Sequence, residues 1–147
     1  MGNFEEMFQK YTVLFLFTPL IAAMAGNVGV QSSAIIVQGL ANDDLKGSTR
    51  NRLFKEVLLA LLNGVILAAI LLIFTWFWKG SFLTALAIST SLIAVIVVAG
   101  FIGTFTPLFL NKRGIDPAIA TGPFITTSND IFGILIYFWI AKLVLGI

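Results

Sequence analysis

A chain of 147 residues that is 59% hydrophobic, only 11% charged and of mean hydropathy +1.01 carries more apolar surface than a soluble domain of its size can bury, so lipid is its solvent. The net charge of +2 is small and the basic residues are not gathered on one face, which gives no reason to expect nucleic acid as a partner. There is no Cys and no His, which excludes disulfides, thiolate or imidazole metal sites and His-based catalysis; any metal must be held by oxygen, the preference of hard ions such as Mg²⁺, Ca²⁺ or Mn²⁺.

Four apolar stretches, at about 11–41, 53–78, 82–110 and 117–146, each exceed the roughly 20 residues that cross a bilayer. They predict an all-α integral membrane protein, with residues 1–147 forming a single transmembrane domain of about four helices. Within the first stretch, Ala23-Met24-Ala25 fits a small-x-small cleavage site. The residues leading to it, however, carry Glu5, Glu6 and only one base, Lys10, where secretory leaders begin basic, so no cleaved signal is expected.

The first stretch is interrupted by Pro19, Asn27, Gln31 and Gln38, which predicts a tilted or kinked helix with a polar edge facing inward. Ala23, Asn27, Gln31, Ala34 and Gln38 recur at spacings of four, four, three and four, one face of a helix. Beside them, Ala25, Gly29 and Ser33 have small-xxx-small spacing, which lets a second backbone approach closely. Trp76, Trp78 and Lys79 close the second stretch as interfacial anchors. In the third, Thr106-Pro107-Leu108 echoes Thr18-Pro19-Leu20, too short a repeat to build on. Asp116-Pro117 opens the fourth with an N-cap residue and a proline at the first helical position.

The basic residues divide six to three. Lys46, Arg50, Arg52 and Lys55 surround the first connection and Lys112 and Arg113 the third, while Lys10, Lys79 and Lys142 lie at the opposite ends. The positive-inside rule then puts loops 42–52 and 111–116 in the cytoplasm and both termini outside, across the cytoplasmic (inner) membrane of the cell. Six of the seven acids, Glu5, Glu6, Asp43, Asp44, Glu56 and Asp116, fall in the N-terminal leader or at loop edges.

Asp130 does not. About eight residues past Gly122, it lies roughly 12 Å into the fourth span at the helical rise, close to the midplane of a core roughly 30 Å thick. A carboxylate at that depth costs several kcal/mol unless compensated, and no basic residue is left at the membrane centre to pair with it. Thr126 and Thr127 precede it by four and three residues, and Gly133 and Tyr137 follow by three and seven, a stripe of oxygens and a small residue. Asn27 falls at the same depth from the other side, and Gln31 continues its face. Asn63 and Asn129 read as local hydrogen-bonding residues rather than ligands.

This set suits a hydrated hard cation. Mg²⁺ gives up water reluctantly and is held by one or two carboxylates with waters bridging to the remaining oxygens. One carboxylate in four helices is a thin site, so a symmetric homodimer that brings two Asp130 side chains to one axis is expected. Three other readings stand beside this one. Asp130 could be protonated interhelical glue, the titrating group of a proton-coupled carrier, or part of a non-transporting membrane assembly subunit. An intramembrane enzyme is not expected, since a single deep acid without His or Cys builds neither an aspartyl dyad nor a His-dependent triad.

The segment from Pro19 through Gly26-Asn27-Val28-Gly29-Val30-Gln31, followed by Gln38-Gly39-Leu40-Ala41, resembles the signature helix of the MgtE magnesium transporters. Gly114-Ile115-Asp116-Pro117, continuing through Thr126-Thr127-Ser128-Asn129-Asp130 to Gly133 and Ile136-Tyr137-Phe138, is similar to that family's last helix. The resemblance implies a dimeric divalent-cation channel or transporter, with Asp130 the acid that binds the ion. It implies Thr126 contributing through backbone or water, and Gly26-Asn27 lining the other side. Mg²⁺ is the implied transported ion; oxygen ligands also accept Mn²⁺, Co²⁺ and Ca²⁺. The chain departs from the family pattern in two respects. It carries neither the cytoplasmic sensor region nor its paired CBS modules, and it shows four apolar stretches where the family's membrane domain has five.

Overall fold

The computed structural model describes residues 2–42 and 49–147. Helix α1 is Gly2–Ala41, α2 Thr49–Lys79, α3 Phe82–Lys112 and α4 Pro123–Leu145, with a short 3-10 helix, Pro117–Ala120, between α3 and α4. All four long helices are long and apolar enough to cross a membrane. Asp43, Asp44 and Lys46, which the sequence places in the first basic loop, lie outside the described residues.

Two boundaries differ from the sequence reading. Helix α1 begins well before residue 11, because the polar residues ahead of the apolar stretch continue the same helix, and it runs unbroken through Pro19. The fourth stretch is divided. Asp116 caps only the 3-10 turn, its Oδ1 accepting from the Ala118 N–H at 3.0 Å. The chain then extends at Thr121, passes through Gly122 at φ +55° and starts α4 at Pro123. Both Pro117 and Pro123 sit where a proline suits a first helical turn. The residue ahead of a proline avoids the α region, and glycine tolerates the left-handed φ that separates the two pieces.

Helix α3 is the centre of the bundle and packs against the other three. Gly100 and Gly103 on α3 allow this. A Cβ at Gly100 would lie 2.8 Å from that of Ala60 on α2, and one at Gly103 would run into the Gly29 carbonyl of α1. Helix α2 leans on α3 and turns the opposite face outward, where Leu62, Ile66, Ile70, Ile73 and Phe77 are exposed. In lipid such a face needs no cover.

Helices α1 and α4 run antiparallel and meet along two i, i+4 ridges: Phe17, Ile21, Ala25, Gly29 and Ser33 on one, Ile125, Asn129, Gly133, Tyr137 and Ala141 on the other, all buried. A Cβ at Gly133 would lie 3.2 Å from that of Ala25, so small residues set the spacing. Toward the other end, Tyr137 Oη donates to the Leu14 carbonyl at 2.8 Å, and Phe15 packs on Phe138 with ring centroids 5.2 Å apart. At the start of α2, Arg52 and Glu56 form an ion pair at 3.0 Å. Glu56, which the sequence reads as a loop-edge acid, is only 7% exposed and belongs to the helix.

Candidate ion groove between α1 and α4

Beside the α1–α4 ridge lies a groove of about 380 Å³, lined by Ala22, Ala23, Gly26, Asn27, Val30, Gln31 and Ala34 of α1 and by Thr126 and Asp130 of α4. Its α1 wall exists because Ala23, Asn27, Gln31 and Ala34 recur on one face. Its floor is Gly26, where a Cβ would lie 3.4 Å from Thr126 Cγ2 and 3.5 Å from Asp130 Oδ1. A side chain there would take up the space in front of the carboxylate. Asp130 is the eighth residue of α4, roughly 10 Å from its first turn at 1.5 Å per residue.

Of the residues singled out from sequence, Asp130, Thr126, Asn27, Gly26 and Gln31 come together around this groove. Thr127 does not line it; its side chain is exposed on the neighbouring face of α4. Gly133 and Tyr137, read from sequence as one stripe with Asp130, face the buried ridge instead. Gln38 continues the exposed face of α1 beyond the groove. Ala22, one of the small residues around Asn27, lines the groove as well, and so does Val30, which as a flanking apolar residue carries no polar signal in the sequence.

The electrostatics are simple. No Lys or Arg lines the groove, and Asp130 has no hydrogen-bond or ion-pair partner among the described residues. Asp130 is partly exposed, while Asn27 and Gln31 are exposed. Among the described residues no three Asp or Glu side chains gather that could hold a metal by themselves. The arrangement offers one carboxylate, two amides and a hydroxyl around a space open on one side. Six waters at about 30 Å³ each occupy roughly 180 Å³, so the groove can take a fully hydrated ion.

Asn129 departs from its expected role. It is 1% exposed, and neither amide atom has a hydrogen-bond partner among the described residues, so it is not a local hydrogen-bonding residue. Asn63 lies in a separate small cavity with Glu56, Gln31 and Ser32.

The family model for MgtE, described as a divalent cation transporter, matches residues 18–140. The chain is 36% identical over 139 residues to the magnesium transporter MgtE of Bacillus subtilis, covering 94% of this chain and 31% of that protein. It is 37% identical over 143 residues to that of Enterococcus faecalis and 34% over 144 residues to that of Thermus thermophilus, each match covering 97% of this chain and 32% of the relative. The chain thus spans about a third of the length of these relatives. The matched residues include α1 from Thr18, all of α2 and α3, and α4 as far as Ile140, and so hold every residue of the groove: this chain belongs to the MgtE family of divalent cation transporters.

Proposed function

We propose that this chain passes hydrated divalent cations, Mg²⁺ first among them, across the membrane down their electrochemical gradient, along a pore completed by a second copy of the chain. The observation that carries this reading is Asp130, a carboxylate without a partner among the described residues, facing a groove whose other polar groups are uncharged oxygens and amides. A lone acid at this depth is costly without a partner, and a passing cation supplies one. The groove is open on one side and presents Asn27 and Gln31 at the protomer surface, with Thr127 exposed beside it. Amides facing hydrocarbon find no partners, whereas a twofold axis beside the groove would set two such walls around one wet path.

Asp130 of each protomer would then hold the ion through its water shell, with Thr126, Gly26, Asn27 and Gln31 accepting from or donating to those waters and Thr127 facing the second copy. Loops 42–52 and 111–116 lie in the cytoplasm on this reading, and both termini outside. A negative interior drives a doubly charged ion inward by roughly 4.6 kcal/mol per 100 mV, so no other energy source is required. That the relatives are named magnesium transporters puts Mg²⁺ first; Mn²⁺, Co²⁺ and Ca²⁺ compete for the same oxygens.

The test is flux from purified protein in liposomes, compared across Mg²⁺, Mn²⁺, Co²⁺ and Ca²⁺, with Asp130→Asn alongside. Divalent flux that vanishes in the variant is expected. Absence of flux in the wild type, or wild-type flux in Asp130→Asn, overturns the reading. Flux that rises and falls with proton supply would favour the proton-coupled carrier instead.

A further inference from the structure

Asn129 immediately precedes Asp130 and points the other way, into the α1–α4 ridge. It fills a notch made by Gly29. A Cβ at Gly29 would collide with Asn129 Nδ2 and would lie 2.9 Å from its Cγ and 3.0 Å from Ile125 Cγ2. On α3, Gly103 presses on the Gly29 carbonyl, and Thr104 beside it holds another buried hydroxyl without a partner among the described residues. Burying an amide with neither its donor nor its acceptor used is unfavourable, and an apolar residue of similar size would fill the notch without that cost. Packing alone therefore does not account for an asparagine here.

The surroundings suit an amide that is buried only part of the time. Near Gly29 the ridge is built from small residues, Ala25, Gly29 and Gly133. The Tyr137–Leu14 hydrogen bond and the Phe15–Phe138 contact fasten its far end. The near end of α4 is joined to the 3-10 turn through the extended break at Thr121 and Gly122, so no continuous helix ties it down. The groove floor at Gly26 lies one turn of α1 from Gly29.

We propose that the α1–α4 ridge parts at Gly29 during transport, and that Asn129 then joins the wall of the ion path behind Asp130, its carboxamide oxygen accepting hydrogen bonds from ion-bound water. The proposal rests on the transport reading above, but it makes a claim about exposure that can be measured without flux.

The chain has no cysteine, so Asn129→Cys introduces a unique thiol. In reconstituted protein under a Mg²⁺ gradient, a membrane-impermeant cationic methanethiosulfonate should label it. Ala23→Cys, in the groove, serves as the reactive reference, and Ala141→Cys, on the fastened end of the same ridge, should stay unlabelled. As a second variant, Asn129→Leu should melt at or above the wild-type temperature. Its Mg²⁺ flux should fall about tenfold, the loss of one charge-assisted hydrogen bond. An inert thiol at 129 beside a reactive one at 23, or wild-type flux in Asn129→Leu, overturns the proposal. If the wild type carries no Mg²⁺ yet the Asn129→Cys thiol reacts, the transport reading falls while the parting of the ridge stands. If flux is present and the thiol stays inert, the ridge proposal falls alone.

Discussion

The groove side of α1 and α4 carries exposed polar groups, whereas the face of α2 turned away from α3 carries hydrocarbon. Asn27, Gln31 and Thr127 are exposed on the first pair; Leu62, Ile66 and Ile70 are exposed on α2. Both surfaces are uncovered in the single chain, yet they ask for different neighbours. Lipid satisfies this outward face of α2, because acyl chains are as apolar as leucine. It leaves amides and a carboxylate without partners, so the α1–α4 face needs water, an ion or a second copy. Exposure alone thus does not distinguish the two faces; the polarity of what is exposed does.

The sharpest way to break this comparison is at Asp130. Asp130→Ala should reduce Mg²⁺ flux about ten- to hundredfold, since a charge-assisted contact contributes about 1.5–3 kcal/mol and each 1.4 kcal/mol is tenfold. The variant should still purify as a folded protein, because Asp130 has no partner among the described residues to lose. Liposome flux with a fluorescent Mg²⁺ indicator measures the first, and a melting curve in detergent the second. An unfolded variant would move Asp130 from the ion path to the packing.

The next largest effect lies where backbones touch. Gly103→Ala places a methyl against the Gly29 carbonyl, and backbone cannot move aside as a flexible side-chain tip can. Overpacking of this kind costs about 1–3 kcal/mol and should lower the melting temperature clearly. Gly64→Ala on α2 is the matched control. Its nearest neighbours, at Ile93 and Ile96, lie 3.5 Å or more from the new Cβ, which is ordinary contact. A melting temperature unchanged in Gly103→Ala would mean α1 and α3 are not held at this distance.

These contacts also show where sequence was a sufficient guide and where it was not. The four spans were legible because each is a long apolar run between polar turns. The α1 wall was legible because Ala23, Asn27, Gln31 and Ala34 recur at helical spacing on one face. The α4 stripe was misread at Gly133 and Tyr137, and the reason is geometric. A packing ridge follows every fourth residue, and at 3.6 residues per turn each step rotates it by about 40° around the helix. The ridge that passes beside Asp130 at Asn129 has therefore turned onto Asp130's own side by Tyr137. Projected down the helix axis, the two look like one face, and only the path of α1 separates them. The break at Gly122 was hidden because Pro117 and Pro123 each fit a first helical turn, and the positive φ that selects the second is a property of the folded chain. Asn129 was hidden for a different reason. An asparagine next to polar neighbours looks locally satisfied until the helix facing it turns out to offer only a glycine.

A smaller effect probes the fastened end of the α1–α4 ridge. Tyr137→Phe removes the bond to the Leu14 carbonyl, which also accepts from Thr18 Oγ1 at 3.3 Å and so is not orphaned. Interhelical hydrogen bonds in membranes average about 0.6 kcal/mol, so stability should fall by about that much. Mg²⁺ flux should persist, since Tyr137 is buried away from the groove. A loss of flux with an unchanged melting curve would tie this end of the ridge to the ion path.

The smallest effect belongs to the lipid-facing side. Ile66 is 52% exposed on α2, and in a bilayer its side chain meets acyl chains both before and after the helices associate. Ile66→Ala therefore transfers no surface between solvents on assembly and opens no internal cavity. Stability should change by less than about 0.5 kcal/mol, and Mg²⁺ flux should be unaltered. The same truncation at Ile21, fully buried on the α1 ridge, should cost about 2–5 kcal/mol, because there the missing atoms leave a void that lipid cannot reach. If Ile66→Ala proved as damaging as Ile21→Ala, the outer face of α2 would be packed against protein rather than lipid, and the division between an apolar face on α2 and a polar one on the α1–α4 pair would have to be redrawn around a larger assembly.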